Sequence, residues 1–224
     1  AITFAAGMAN SGLIPFCNVY SSFLQRGYDQ IIHDVALQQL PVIICIDRAG
    51  IVGEDGPTHH GAFDLAYLRC IPNLIIASPL NESELRNLMF TAYHHRTSPF
   101  VIRYPRGAGS QPNWKNEMQI LEIGKSEYLN KGEKLAILVL GPLGVHAKQA
   151  VETLKTSGIN PTLINIRFLK PLDTNLISKI AEDHSTILTI EDGSEYGGLH
   201  SAVSEYLTSS NLKNNLYHLA IPDH

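Results

Sequence analysis

The sequence predicts two consecutive α/β domains with mostly parallel sheets, and three observations carry that expectation. Short β-branched apolar runs alternate with segments of helical period, as in parallel strands joined by crossover helices. The alternation occurs twice along the chain. Between the two occurrences, at 107–119, it gives way to Gly, Pro, Asn, Ser and charged residues around the single Trp114, the composition of a linker.

The small-residue run AITFAAGMANSG at the start reads as the middle of a helix. Residues 14–20, 42–47, 74–78 and 100–104 then read as strands. Between them Tyr28, Ile31, Ile32, Val35 and Leu40 share one helical face, and Leu85, Leu88, Met89 and Ala92 share another. Asn81 followed by Glu84 has the spacing of a capping box, which places a helix start there. After the linker, 135–140, 162–166, 186–191 and 216–220 read as strands, while Ala147, Ala150, Val151 and Leu154 mark a helix stopped by Gly158. The expected domains are 1–110 and 120–224.

A chain of 224 residues suits two domains of ordinary size. The net charge of -4, with scattered Lys and Arg, supplies no basic stripe for nucleic acid. No apolar run approaches the roughly 20 residues that span a bilayer. Three cysteines are an odd count, and Cys17 and Cys45 lie in apolar strand-like runs, so no disulfide framework and a reducing compartment are expected. The sequence opens at Ala1 without an initiator Met, and both ends read as interior segments, so targeting cannot be judged from them.

The stretch DRAGIVGEDGPTHHGAFD, 47–64, gathers glycines, acids, an Arg and two histidines directly after a strand. Ligands of open α/β sheets bind outside the carboxyl ends of strands, which suits a site; by composition alone a solvated loop is an equal reading. Gly50, Gly53, Gly56 and Gly61 are expected to let the loop turn tightly. Adjacent His59 and His60 point different ways and no second ligand pair accompanies them, so no metal site is expected from these residues. In the second half, LGPLGVHAKQA lacks both GxGxxG and the P-loop Lys-Ser/Thr pair, and reads as a structural turn.

IDRAGIVGEDGPTHHGAFDLAYLRCIPNL, with YSSFLQRGYDQIIHDVALQQLPV before it and IRYPRG after it, resembles the 1-deoxy-D-xylulose-5-phosphate synthase family. The resemblance runs nearly end to end. It implies a transketolase-like fold, with a thiamine-diphosphate pyrimidine-binding domain followed by a transketolase C-terminal domain. It also implies a homodimeric transferase, cytoplasmic in bacteria or plastid in a plant or alga. The implied reaction condenses pyruvate with glyceraldehyde 3-phosphate with loss of carbon dioxide, feeding isoprenoid, thiamine and pyridoxal synthesis.

By position, the resemblance makes Phe23 the residue that stacks on the aminopyrimidine of the cofactor. Tyr20, Arg48 and Arg106 would hold the acceptor aldehyde and its phosphate, and Asp55 and His59 would face substrate at the mouth of the cofactor site as catalytic groups. Arg26 stays outside this set, and EDGSEYGG, 191–198, has no assigned catalytic role. Gly27 stands where the family has Ala, and His200 in GGLHS stands where it has Gly, which puts the local turn in question. In the family, a Glu that activates the cofactor precedes the position of Ala1, and the diphosphate and Mg2+ are held by a domain further upstream. These 224 residues are therefore expected to carry half of a composite site, to retain neither thiamine diphosphate nor Mg2+, and to be inactive alone. The alternatives are the β chain of a 2-oxoacid dehydrogenase, a split transketolase, or a noncatalytic dimerisation module.

Overall fold

The computed structural model describes residues 1–109, 111 and 113–223. The opening run does form a helix, α1 (Ile2–Asn10), which buries Ile2, Ala5, Ala6 and Ala9. Strand β1 (Phe16–Tyr20) leads into α2 (Ser21–Leu24), which continues without a break through a 3-10 turn (Gln25–Gly27), α3 (Tyr28–Gln30) and a π-helical turn (Ile31–Ala36). Ile31, Val35 and Ala36 are its buried residues; the periodicity predicts the first two, and the other predicted members, Tyr28, Ile32 and Leu40, are half-buried. Next come β2 (Ile43–Asp47), α4 (Asp64–Arg69), β3 (Ile75–Ala77), α5 (Glu82–His94) and β4 (Phe100–Arg103). Asn81 caps α5, its side chain accepting the Glu84 N–H at 3.0 Å. The other half of the capping box is diverted, because the Glu84 carboxylate reaches past Asn81 to the Leu80 N–H at 2.5 Å and onward to the second half of the chain.

That half contributes β5 (Glu127–Asn130), β6 (Leu135–Val139), α6 (Leu143–Thr156), β7 (Thr162–Asn165), β8 (Phe168–Lys170), α7 (Thr174–Asp183), β9 (Thr186–Ser194), α8 (Leu199–Ser209) and β10 (Asn215–Ile221). Two five-stranded sheets result, in the orders β1-β2-β4-β3-β8 and β10-β9-β6-β7-β5. In each, four strands run parallel and the last is antiparallel. The periodicity reading misses α4, β5, β8 and α7. Strand β8 belongs to the second half of the sequence yet completes the first sheet, pairing Ile76 with Lys170. One core accordingly joins Ile44, Ile46, Leu65 and Leu68 to Leu138, Ile164, Leu199 and Val203.

The linker has no regular structure among its described residues, but it is strapped along α5. Arg86 donates to the Asn116 carbonyl, the Gln119 N–H to Asn87 at 3.0 Å and the Leu121 N–H to Thr91 at 2.8 Å. Cys17 and Cys45 are buried in β1 and β2, Cys70 is exposed, and all three are free. Burial pushes the Cys45 thiol up to about 12, which keeps it an inert core group at neutral pH. Among the described residues no helix is long and apolar enough to cross a membrane.

Candidate active site

Parallel pairing brings the candidate residues together. β1, β2 and β4 are neighbours, with Tyr20 opposite Asp47 and Ile46 opposite Arg103, so the segments leaving all three strands emerge along one carboxyl edge. Tyr20 ends β1, Arg48 follows β2, and Arg106 follows β4 by three residues. Phe23 lies on α2, one turn beyond Tyr20, while Asp55 and His59 lie on two 3-10 turns of the loop after β2.

All six residues predicted as site members fall in this one cluster. The Phe23 ring, 43% exposed, lies 5.0 Å from Tyr20 and 5.5 Å from the His59 imidazole between ring centroids. The Arg48 guanidinium stacks on Tyr20 at 4.1 Å, and Arg26, outside the predicted set, lies over Phe23 at 5.8 Å. Asp55 sits between the two arginines, its Oδ2 being 3.5 Å from Arg48 Nε and 3.6 Å from Arg106 Nε. Arg48 also donates to both Asp47 oxygens, at 2.8 and 2.6 Å, and that bond raises its pKa above the ordinary value.

The loop histidines diverge as expected. His59 turns to the aromatic pair and contacts Thr58 Oγ1 at 3.0 Å, whereas His60 accepts the Val52 N–H at 3.2 Å and so serves the loop's own backbone. Among the described residues no group of three or more His, Cys, Asp or Glu side chains is arranged around a metal position.

Two observations fit this cluster to an aromatic, anionic ligand. A large aromatic ring is exposed beside charged groups instead of joining the core. In addition, Ser22 Oγ is buried without a hydrogen-bond partner among the described residues, and Arg48 Nε and Asp55 Oδ2, equally buried, face each other at 3.5 Å without hydrogen-bond geometry. Buried polar atoms in that state call for an explanation, and a bound ligand is one.

Beneath the cluster lies a set of residues that the sequence reading missed. Arg103, only 1% exposed, contacts Asp192 of β9, donates to Asp64 at 3.1 Å, and donates to the Gly61 carbonyl at 3.4 Å. Burial opposes its charge, but the two carboxylates outweigh burial and hold its pKa above the ordinary value. The available signal was an Arg inside an otherwise apolar strand, FVIR, since a buried cation requires buried acids. EDGSEYGG ends β9 and leads into α8. Glu191 accepts the Leu199 and His200 N–H groups at 2.8 and 2.9 Å, capping α8. The turn tolerates His200 because Gly198 is the crowded position, where a Cβ would stand 1.9 Å from Glu191.

The transketolase pyrimidine-binding domain model matches residues 1–111, and the transketolase C-terminal domain model matches 124–224. The chain belongs to the transketolase family. Its sequence is similar to 1-deoxy-D-xylulose-5-phosphate synthases: 52% identical over 223 residues to that of Parabacteroides distasonis, 51% over 224 to that of Phocaeicola vulgatus, and 52% over 223 to that of Syntrophomonas wolfei. Each comparison covers 100% of this chain and 35% of the relative, so the chain spans about a third of the length of these synthases. Its fold is similar to a split-gene transketolase described as an inactive beta4 tetramer, with a TM-score of 0.85 and 27% identity over 98% of this chain and 71% of that one. The transketolase-like fold with two successive mostly parallel domains is thereby established.

Proposed function

We propose that this chain is the pyrimidine-binding and C-terminal portion, with domains at 1–110 and 120–224, of a 1-deoxy-D-xylulose-5-phosphate synthase. The reaction is the decarboxylative condensation of pyruvate with glyceraldehyde 3-phosphate, in a cytoplasmic homodimer using thiamine diphosphate and Mg2+. One observation carries the reading: the Nε edges of Arg48 and Arg106 flank a single carboxylate, Asp55, at 3.5 and 3.6 Å, beside an exposed aromatic ring. An anion is evidently favoured between the forks, and fixed forks suit a phosphate-bearing acceptor; the lipoyl arm used by 2-oxoacid dehydrogenases requires no such cations.

When bound, thiamine diphosphate supplies the electron sink for decarboxylation. Phe23 offers a stacking face for its aminopyrimidine ring, and Arg26 and Tyr20 pack on the Phe23 ring to hold it in place. His59 and Asp55 stand beside the aromatic pair and the two arginines, where an imidazole and a carboxylate exchange protons with substrate hydroxyls. Ligands for the diphosphate and Mg2+ fall to the two thirds of the synthase outside this chain.

Two measurements test the proposal. In the full-length protein, Arg106→Ala weakens use of glyceraldehyde 3-phosphate by about 1.5–3 kcal/mol, the range for a hydrogen bond to a charged group, and Arg106→Lys restores it only in part. Equal losses with phosphorylated and unphosphorylated aldehydes would defeat the phosphate assignment. The 224-residue chain alone shows no carbon dioxide release from pyruvate and glyceraldehyde 3-phosphate with cofactor and Mg2+ supplied, because catalysis requires groups held by separate domains. The similar transketolase assembly described as inactive supports this expectation. Turnover by the chain alone would overturn it.

A further inference from the structure

A single buried cation ties the candidate site to the second domain. Arg103 gathers the Asp64 carboxylate, the Asp192 carboxylate and the Gly61 carbonyl. Asp64 also accepts the Ser21 hydroxyl at 3.0 Å. Three members of this network lie close in sequence to site residues: Ser21 follows Tyr20 and precedes Phe23 by two, Gly61 closes the loop that carries Asp55 and His59, and Arg103 lies three residues before Arg106.

The loop has a narrow neck. Gly50 and Gly61 exchange two backbone hydrogen bonds, at 2.9 and 2.8 Å. A Cβ on Gly50 would stand 2.5 Å from Asp192 Oδ2, and one on Gly61 would stand 2.6 Å from both the Arg48 carbonyl and the Ser21 hydroxyl, so the neck packs directly against β9 and α2. The Ser194 N–H adds a bond to the Ala62 carbonyl at 2.7 Å. Asp64, with a fully buried side chain, already matches the charge on Arg103. A second carboxylate is not required to neutralise the cation; what it adds is a fixed link from β9 to Arg103, which in turn donates to the Gly61 carbonyl of the loop.

We propose that Asp192, contributed by the second domain, is a positioning residue for the substrate loop: by holding Arg103 against Gly61 and Asp64 it sets the spacing of Asp55 and His59 from Tyr20 and Phe23. This rests on the reading above that the loop meets the phosphorylated acceptor.

The test uses Asp192→Asn in the full-length protein, with Asp192→Ala as a second variant should the first not fold. Amide hydrogen exchange over 48–64 reports the loop without reference to activity, and steady-state kinetics report the site. The expected result is faster exchange confined to 48–64, with KM for glyceraldehyde 3-phosphate raised roughly 3- to 30-fold, the range of couplings carried through packed polar networks, and KM for pyruvate changed less than about twofold. A lower melting temperature with unchanged loop exchange and unchanged KM would overturn the proposal, leaving Asp192 as interdomain glue. Arg106→Ala run in parallel separates the two failures. If it too spares the acceptor KM, the acceptor reading fails, and loop exchange alone decides the positioning role.

Discussion

The two sheets follow one plan, four parallel strands and an antiparallel edge, yet their carboxyl edges are put to different uses. At the first edge Tyr20, Arg48 and Arg106 leave the strands beside the exposed Phe23 ring, where Ser22 Oγ lacks a partner among the described residues and Arg48 Nε meets Asp55 Oδ2 only at 3.5 Å. At the second edge the polar groups turn onto the first domain and are satisfied there. Asn165, at the end of β7, and Arg167, just beyond it, bind Glu84 at 3.0 and 2.5 Å, and Asp192 binds Arg103. Gly141, after β6, lies so close to Ser78 that a Cβ would stand 2.3 Å from its hydroxyl. A parallel sheet supplies a crevice wherever its strands end. It becomes a binding site where the hydrogen-bonding capacity is left open, and an interface where the fold consumes it.

The largest effect is expected from breaking the consumed edge. Glu84→Ala leaves the Asn165 amide and part of Arg167 buried without their acid, at a cost of about 3 kcal/mol of folding stability. Denaturant unfolding of this chain would measure it, and a loss under about 1 kcal/mol would show the edge to be loosely held. In contrast, Phe23→Ala at the open edge should leave the unfolding midpoint nearly unchanged, because the ring is 43% exposed. In the full-length protein it should weaken thiamine diphosphate more than the aldehyde, measured as Kd by tryptophan quenching or calorimetry. Early melting with normal cofactor binding would return Phe23 to the core.

The smallest effect concerns His200, whose ring lies 4.4 Å from that of His218. Burial, and then the neighbouring His218, hold its pKa below the ordinary 6.5. The folded state thus favours the neutral ring: its contribution to stability is full above 6.5 and is lost as pH falls through the depressed value. His200→Gln should flatten stability across that acid window while leaving neutral pH unaffected. An unchanged pH profile would remove His200 from the account.

Local pattern made much of this molecule legible. Tyr28, Ile31, Ile32, Val35 and Leu40 repeat at helical spacing because one face must be buried, and Ile43 to Ile46 form a continuous apolar run because β2 is covered on both faces. The six candidate residues were named from motifs, and the parallel register of β1, β2 and β4 brings them into one cluster. Short elements escaped notice: β8 has three residues, too few to show a period, and its place in the first sheet depends on the strand it meets.

The sequence by itself determined the two α/β units, the strand-end loop and the residue types of the site, since burial periodicity and motif spacing are local properties of a chain. Only the tertiary structure decided which acids meet which cations. Asp192 and Arg103 lie 89 residues apart, and Glu84 and Arg167 lie 83 apart. A buried charge requires a partner, but nothing in local spacing names one, because that choice is made by the packing that removes both groups from water.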